Sequence, residues 1–150
     1  MTDGPHQRVS RAAYLLGYAG LLPQFAAVAL IASGTDYQIG EVLAFGYAGL
    51  ILSFLGGMWW GFAMRRLRGQ GMLAVLAVTP SLAALALGVL TIVTEPSLTL
   101  IGLGAAIIAT LLIDHRLVTT GEAPADWMRL RAPLSLGLGG LTIIAGLLAA

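Results

Sequence analysis

The chain has 150 residues, of which 58% are apolar and only 10% charged, with a formal net charge of +1. A water-soluble domain carries roughly 25% charged residues, so hydrocarbon must cover much of this surface, and the near-zero charge offers no electrostatic case for nucleic acid. The lack of cysteine removes disulfides, thiolate metal sites, iron–sulfur clusters and cysteine nucleophiles; His6 and His115 are not spaced as a ligand pair, so neither metal nor cofactor is expected.

Five runs approach the ~20 apolar residues that a spanning helix needs: residues 12–33, 41–64, 72–94, 96–114 and 132–150. They predict one all-α domain, an integral membrane bundle of five transmembrane helices. The first run follows Arg8 and Arg11 as a signal peptide would, but it exceeds the roughly 7–15 residues of a secretory apolar region and reads as a retained span. The last run is rich in glycine and of minimal length, and a re-entrant or tilted segment is the alternative there.

Arginine placement orients the bundle. Arg8 and Arg11 precede the first run, Arg65, Arg66 and Arg68 separate the second from the third, and Arg116, Arg129 and Arg131 separate the fourth from the fifth. The opposite connections hold Asp36, Glu41 and Glu95. Positive-inside logic therefore places the N-terminus in the cytoplasm and the C-terminus in the periplasm. All eight basic residues are arginine, a bias that GC-rich coding produces, which points to a bacterial inner (cytoplasmic) membrane. Trp59 and Trp60 near one end of the second run, and Tyr37 near the other, suit the two interfaces.

In the long connection, Gly121 can end the fourth helix, and Pro124 or Asp126 can start a short interfacial helix before the last span. Trp127 and Leu130 would share its apolar face, with Arg129 and Arg131 reaching lipid phosphates.

The second run carries a helix-packing pattern. Gly49, Ser53, Gly57 and Gly61 recur every fourth residue, beside Gly46, Gly56 and Trp60. Small residues on one face let a neighbouring backbone approach closely, which matters where no hydrophobic drive separates helix from lipid. Packing inside the bundle is the expectation; a homo-oligomer face and the wall of a lipid or small-molecule groove are the alternatives. Matching small faces are expected from Ala13, Gly17 and Gly20; from Ala77, Ser81, Ala84 and Gly88; from Gly102, Ala105, Ala106 and Ala109; and from Ser135, Gly139, Thr142 and Gly146. The five-residue sequence at 17–21 recurs at 46–50, which reads as shared packing needs rather than a repeat.

Pro23 and Pro80 each remove a backbone hydrogen bond and permit a kink, and Thr79 or Ser81 can satisfy the carbonyl that Pro80 frees. Gln24, near the middle of its span, must find a partner: an interhelix bond is the plain expectation and a polar ligand contact the sharper one. Ser53 is a further candidate for either. Glu41 and Glu95 stand near helix N-termini, where the helix dipole favours them. Asp114 stands at a C-terminal end, where it does not, and Arg66, Arg68 or Arg116 can pair with it. No catalytic constellation or phosphate loop is present, and no ionisable residue lies near a span midpoint.

Ser53-Phe54-Leu55-Gly56-Gly57-Met58-Trp59-Trp60-Gly61 resembles the signature of the family called domain of unknown function 3429, which includes bacterial inner-membrane proteins and a mitochondrial relative, transmembrane protein 69. Leu16-Gly17-Tyr18-Ala19-Gly20-Leu21-Leu22-Pro23 resembles its opening helix. Asp114 followed by Trp127-Met128-Arg129-Leu130-Arg131-Ala132-Pro133-Leu134 resembles its closing segment. The likeness covers nearly the whole chain and implies a small multi-helix membrane protein, without an activity. The chain departs from the family pattern at Trp59, where a His or Arg is often found, so no titratable role carries over to that position. The resulting expectation is a non-enzymatic protein acting through contacts with membrane protein or with the lipid bilayer. A small-solute transporter or channel using Gln24 and Ser53 is one alternative; a lipid-modifying enzyme using Asp114 and His115 is another.

Overall fold

A computed structural model describes residues 9–150 of the chain; His6 and Arg8 lie outside the described residues. These residues form six helices and no strand: α1 (Arg11–Ala19), α2 (Leu22–Ser33), α3 (Tyr37–Met64), α4 (Gln70–Leu90), α5 (Pro96–Thr119) and α6 (Trp127–Leu148). Helices α1 and α2 together make one span, Arg11–Ser33, so five helical segments are long and apolar enough to cross a bilayer. Each closes its own backbone hydrogen bonds, which hydrocarbon cannot supply.

The break between α1 and α2 follows from Pro23. With no N–H, it cannot continue the α1 ladder, and it sits instead in the first turn of α2, where a missing donor costs little. The carbonyl of Gly20, released at the break, accepts a hydrogen bond from the Tyr47 hydroxyl of α3. The two occurrences of the five-residue sequence thus touch at the break, but in different surroundings, since Tyr18 is exposed and Tyr47 is half-buried. Pro80 in α4 is handled locally, as expected: the Thr79 hydroxyl donates to the freed Leu76 carbonyl at 2.7 Å.

Helix α5 packs most extensively on α6, α3 on α4 and α2 on α3. The α5–α6 pair is close because glycines meet there. A methyl group on Gly104 would stand 2.5 Å from the Gly139 carbonyl oxygen, and one on Gly146 would stand 2.8 Å from that of Ser97. The expected face of Ser135, Gly139, Thr142 and Gly146 is buried along its whole length. On the α5 side the packed face is Leu100, Leu103, Gly104 and Ile107, whereas Ala105 and Ala109 are exposed.

In α3 the packed face differs from the expected one. Gly40, Ala44, Ala48, Leu52 and Gly56 are buried, again every fourth residue. Of the stripe Gly49, Ser53, Gly57 and Gly61, the first two are half-buried and the last two exposed, and methyl groups on Gly57 or Gly61 would meet nothing within 4 Å. Gly56 is the glycine of that motif that makes a close contact, against α4 at the Ala77 carbonyl. Trp60 lies on the outer surface, 47% exposed.

The expected separate interfacial helix does not form. Trp127, Arg129 and Arg131 begin α6 itself, which runs without interruption to Leu148. Asp126 precedes it, and its Oδ2 accepts a hydrogen bond from the Val9 N–H at 3.0 Å.

Candidate functional site: a buried ion pair beside a lateral cavity

Alternating helix direction collects Arg11, Arg65, Arg66, Arg68, Arg116, Arg129 and Arg131 at one end of the bundle. Just inside that end lies its main polar cluster. Asp114 is completely buried on the inner face of α5. Its Oδ2 accepts from Arg131 Nε at 2.8 Å, and its Oδ1 accepts from Trp59 Nε1 at 2.9 Å and Trp127 Nε1 at 3.4 Å. Arg131 Nη2 donates to Thr110 Oγ1 at 3.4 Å. At 1.5 Å rise per residue, the pair sits roughly 6–8 Å inside the helix ends.

This arrangement replaces the expected partners. Arg68 and Arg116 are exposed. Arg66 is engaged at the surface with Glu122, its Nη2 donating to Oε1 at 2.6 Å. That bond, with Thr120 assisting, holds the Glu122 carboxyl below its ordinary value of 4.5 and raises the Arg66 guanidinium. Arg131, expected at lipid phosphates, is only 6% exposed. Its helix face turns inward because Trp127 packs edge-on against Phe62 of α3, with ring centroids 6.0 Å apart. Arg129, two residues away, is exposed as expected, and so is His115, which faces away from Asp114. Trp59, at which the resemblance left no titratable role, gives its indole N–H to the Asp114 carboxylate.

Gln24 takes the interhelix bond. It is fully buried, and its Nε2 donates to Thr142 Oγ1 at 3.0 Å, while the Thr142 hydroxyl donates to the Leu138 carbonyl at 2.7 Å. Its Oε1 has no partner among the described residues. Ser53 joins none of these groups.

Beside the ion pair lies a cavity of about 420 Å³ between α1, α3 and α6. It exists because α1 has no buried residue and packs chiefly on α6 at Gly17, leaving a gap towards α3. Its wall is mainly apolar and includes Leu16, Ile51, Phe54, Met58, Leu134 and Leu138. At the arginine end the lining includes Arg131 and Ser135. Ser135 is 1% exposed, and its hydroxyl has no hydrogen-bond partner among the described residues. Two smaller pockets, one near Glu41 and Thr91 and one near Pro80 and Ala106, carry no such buried unpartnered group. The sequence reading missed Arg131 and Ser135 as a pair. Their signal was present: they are four apart, on one face of the last helix.

Five apolar spanning segments packed around a polar cluster define a multi-pass membrane protein. The family model described as Protein of unknown function (DUF3429) matches residues 9–148, and the chain belongs to that family. Neither the curated proteins nor the solved structures give a match.

Proposed function

We propose that this is a non-enzymatic protein of the bacterial inner membrane that acts by holding a lipid molecule in the cavity between α1, α3 and α6. Its arginine-bearing end and N-terminus face the cytoplasm, and its C-terminus faces the periplasm. One observation carries the reading: an apolar cavity of about 420 Å³, within the usual ligand-pocket range of roughly 300–1,000 Å³, is lined on α6 by Arg131 and by Ser135 with its unpartnered hydroxyl, while the Tyr47 hydroxyl in its wall is already engaged by the Gly20 carbonyl. That is the shape of an amphiphile, with a chain along the leucine and isoleucine wall and a head near Arg131 and Ser135. The cavity meets α3 on its Ile51 and Phe54 side, not along the Gly49, Ser53, Gly57 and Gly61 stripe for which a lipid groove is an alternative.

The enzyme alternative has less support. Both Asp114 oxygens are engaged by donors, and His115 points outward. The transporter alternative required Gln24 at an aqueous path, and Gln24 is instead sealed against Thr142.

Mild-detergent purification followed by native mass spectrometry tests the proposal. The wild-type protein should carry about one lipid per chain. Ile51→Trp, which fills the cavity from its half-buried wall, should lose that lipid while keeping its helical content. Wild-type protein without retained lipid, or equal retention by Ile51→Trp, would overturn the proposal.

A further inference from the structure

Resting on the lipid-holding role above, we propose that the head group bound at the Arg131 end is uncharged and accepts hydrogen bonds: a ketone, quinone or ester carbonyl rather than a phosphate. Three observations converge on this class of ligand.

The first is the charge balance. Arg131 would be a natural anion receptor if it were free, because its guanidinium presents five donors. Here its charge is already opposed by Asp114 at 2.8 Å, with both side chains almost wholly buried. Among the described residues lining the cavity, Arg131 is the only charged one. A phosphate or carboxylate entering would leave a net negative charge within hydrocarbon, which is strongly disfavoured. A neutral head group carries no such penalty.

The second is the donor inventory. Arg131 uses Nε on Asp114 and Nη2 on Thr110, while Nη1 makes no hydrogen bond among the described residues. The Ser135 hydroxyl, buried and unpartnered, lies one turn further along the same face of α6. A carbonyl oxygen has two lone pairs and accepts two hydrogen bonds. Both residues line the cavity, and each keeps a donor that no described residue takes up, as a neutral acceptor requires.

The third is that the Ser135 hydroxyl takes part in no hydrogen bond among the described residues, although small size alone suffices for its place on the packed face of α6. A buried hydroxyl without a partner destabilises a fold, and alanine would fill the same position without that penalty. A hydroxyl at the polar end of an otherwise apolar cavity is accounted for when a ligand completes its hydrogen bonding.

Photolabelling tests the proposal with two diazirine-bearing amphiphiles of equal chain length, one ending in a methyl ketone and the other in a permanently anionic sulfonate. The intact protein is reconstituted in phosphatidylcholine vesicles and the labelled peptides are mapped. The ketone should label the α1 and α6 walls several-fold more than the sulfonate. Ser135→Ala should lower ketone labelling roughly five- to tenfold without lowering the melting temperature, since the hydroxyl has no partner in the protein to lose. Equal or stronger labelling by the sulfonate, or unchanged ketone labelling of Ser135→Ala, overturns the head-group assignment and leaves the lipid-holding role standing. Labelling of the cavity walls by neither probe overturns both.

Discussion

Asp114→Ala should destabilise the bundle by about 3–5 kcal/mol, the usual cost of removing one partner from a buried ion pair. The substitution strands the Arg131 guanidinium in a site where it is 6% exposed, and it deprives the Trp59 and Trp127 indoles of their acceptor. Glu122 is held by Arg66 at the surface and so does not replace it. Much of the loss therefore comes from an uncompensated charge rather than from missing contacts. The double variant Asp114→Ala/Arg131→Met separates the two: it removes the stranded charge and should recover a substantial part of the stability. Unfolding titrations in mixed micelles, run on the singles and the double, supply the measurement. A single-variant loss below about 1 kcal/mol is what an exposed pair gives, and it would show that water reaches the cluster.

A single methyl group distinguishes two adjacent glycines. On Gly56 it would stand 2.3 Å from the Ala77 carbonyl oxygen and 3.3 Å from Pro80 Cγ. The first of these is helix backbone, which cannot move aside as a flexible side chain does. Gly56→Ala must push α3 and α4 apart, and overpacking of this kind costs about 1–3 kcal/mol or more. Gly57→Ala meets open space, so it should be neutral or stabilising by up to about 1 kcal/mol through helix propensity. The same unfolding measurement reads both variants. Equal losses would place Gly57 at a tight interface. A change in complex size for Gly57→Leu, with stability unchanged, would instead identify the outer stripe as a self-association face.

That pair of glycines also shows where reading a sequence reaches its limit in a membrane. Spacing by four correctly put Gly49, Ser53, Gly57 and Gly61 on one face, but periodicity does not say which face is inside. In water, polarity would decide. In lipid, the outer face is also apolar, and small residues are tolerated on either side. The packed register, from Gly40 through Ala48 to Gly56, holds alanine and leucine as well as glycine and so stood out less. The fifth span was easier to read, since Ser135 and Thr142 mark its inner face with hydroxyls that lipid would not favour.

The spans themselves were legible because length, hydropathy and arginine alternation gave the same count. Their ends were less so: α3 starts before residue 41, and α6 starts at Trp127 rather than residue 132. An opening turn bearing Trp, Leu and Arg looks the same whether its polar groups meet head groups or a buried carboxylate. Only the glycine-lined α5–α6 contact, which brings Arg131 level with Asp114, makes the distinction. Gln24 was legible as a residue needing a partner, and Thr142 was reachable only through the packing of α2 on α6.

The absence of cysteine allows a direct test of the proposed orientation, in which five spans place the arginine-rich end in the cytoplasm. Leu67→Cys replaces a fully exposed residue of the α3–α4 connection, and Thr35→Cys lies in the exposed turn between α2 and α3 at the opposite end. In intact spheroplasts, a membrane-impermeant maleimide should modify Thr35→Cys readily and Leu67→Cys only after the membrane is permeabilised. Labelling of both positions from the same side without permeabilisation would contradict the arrangement.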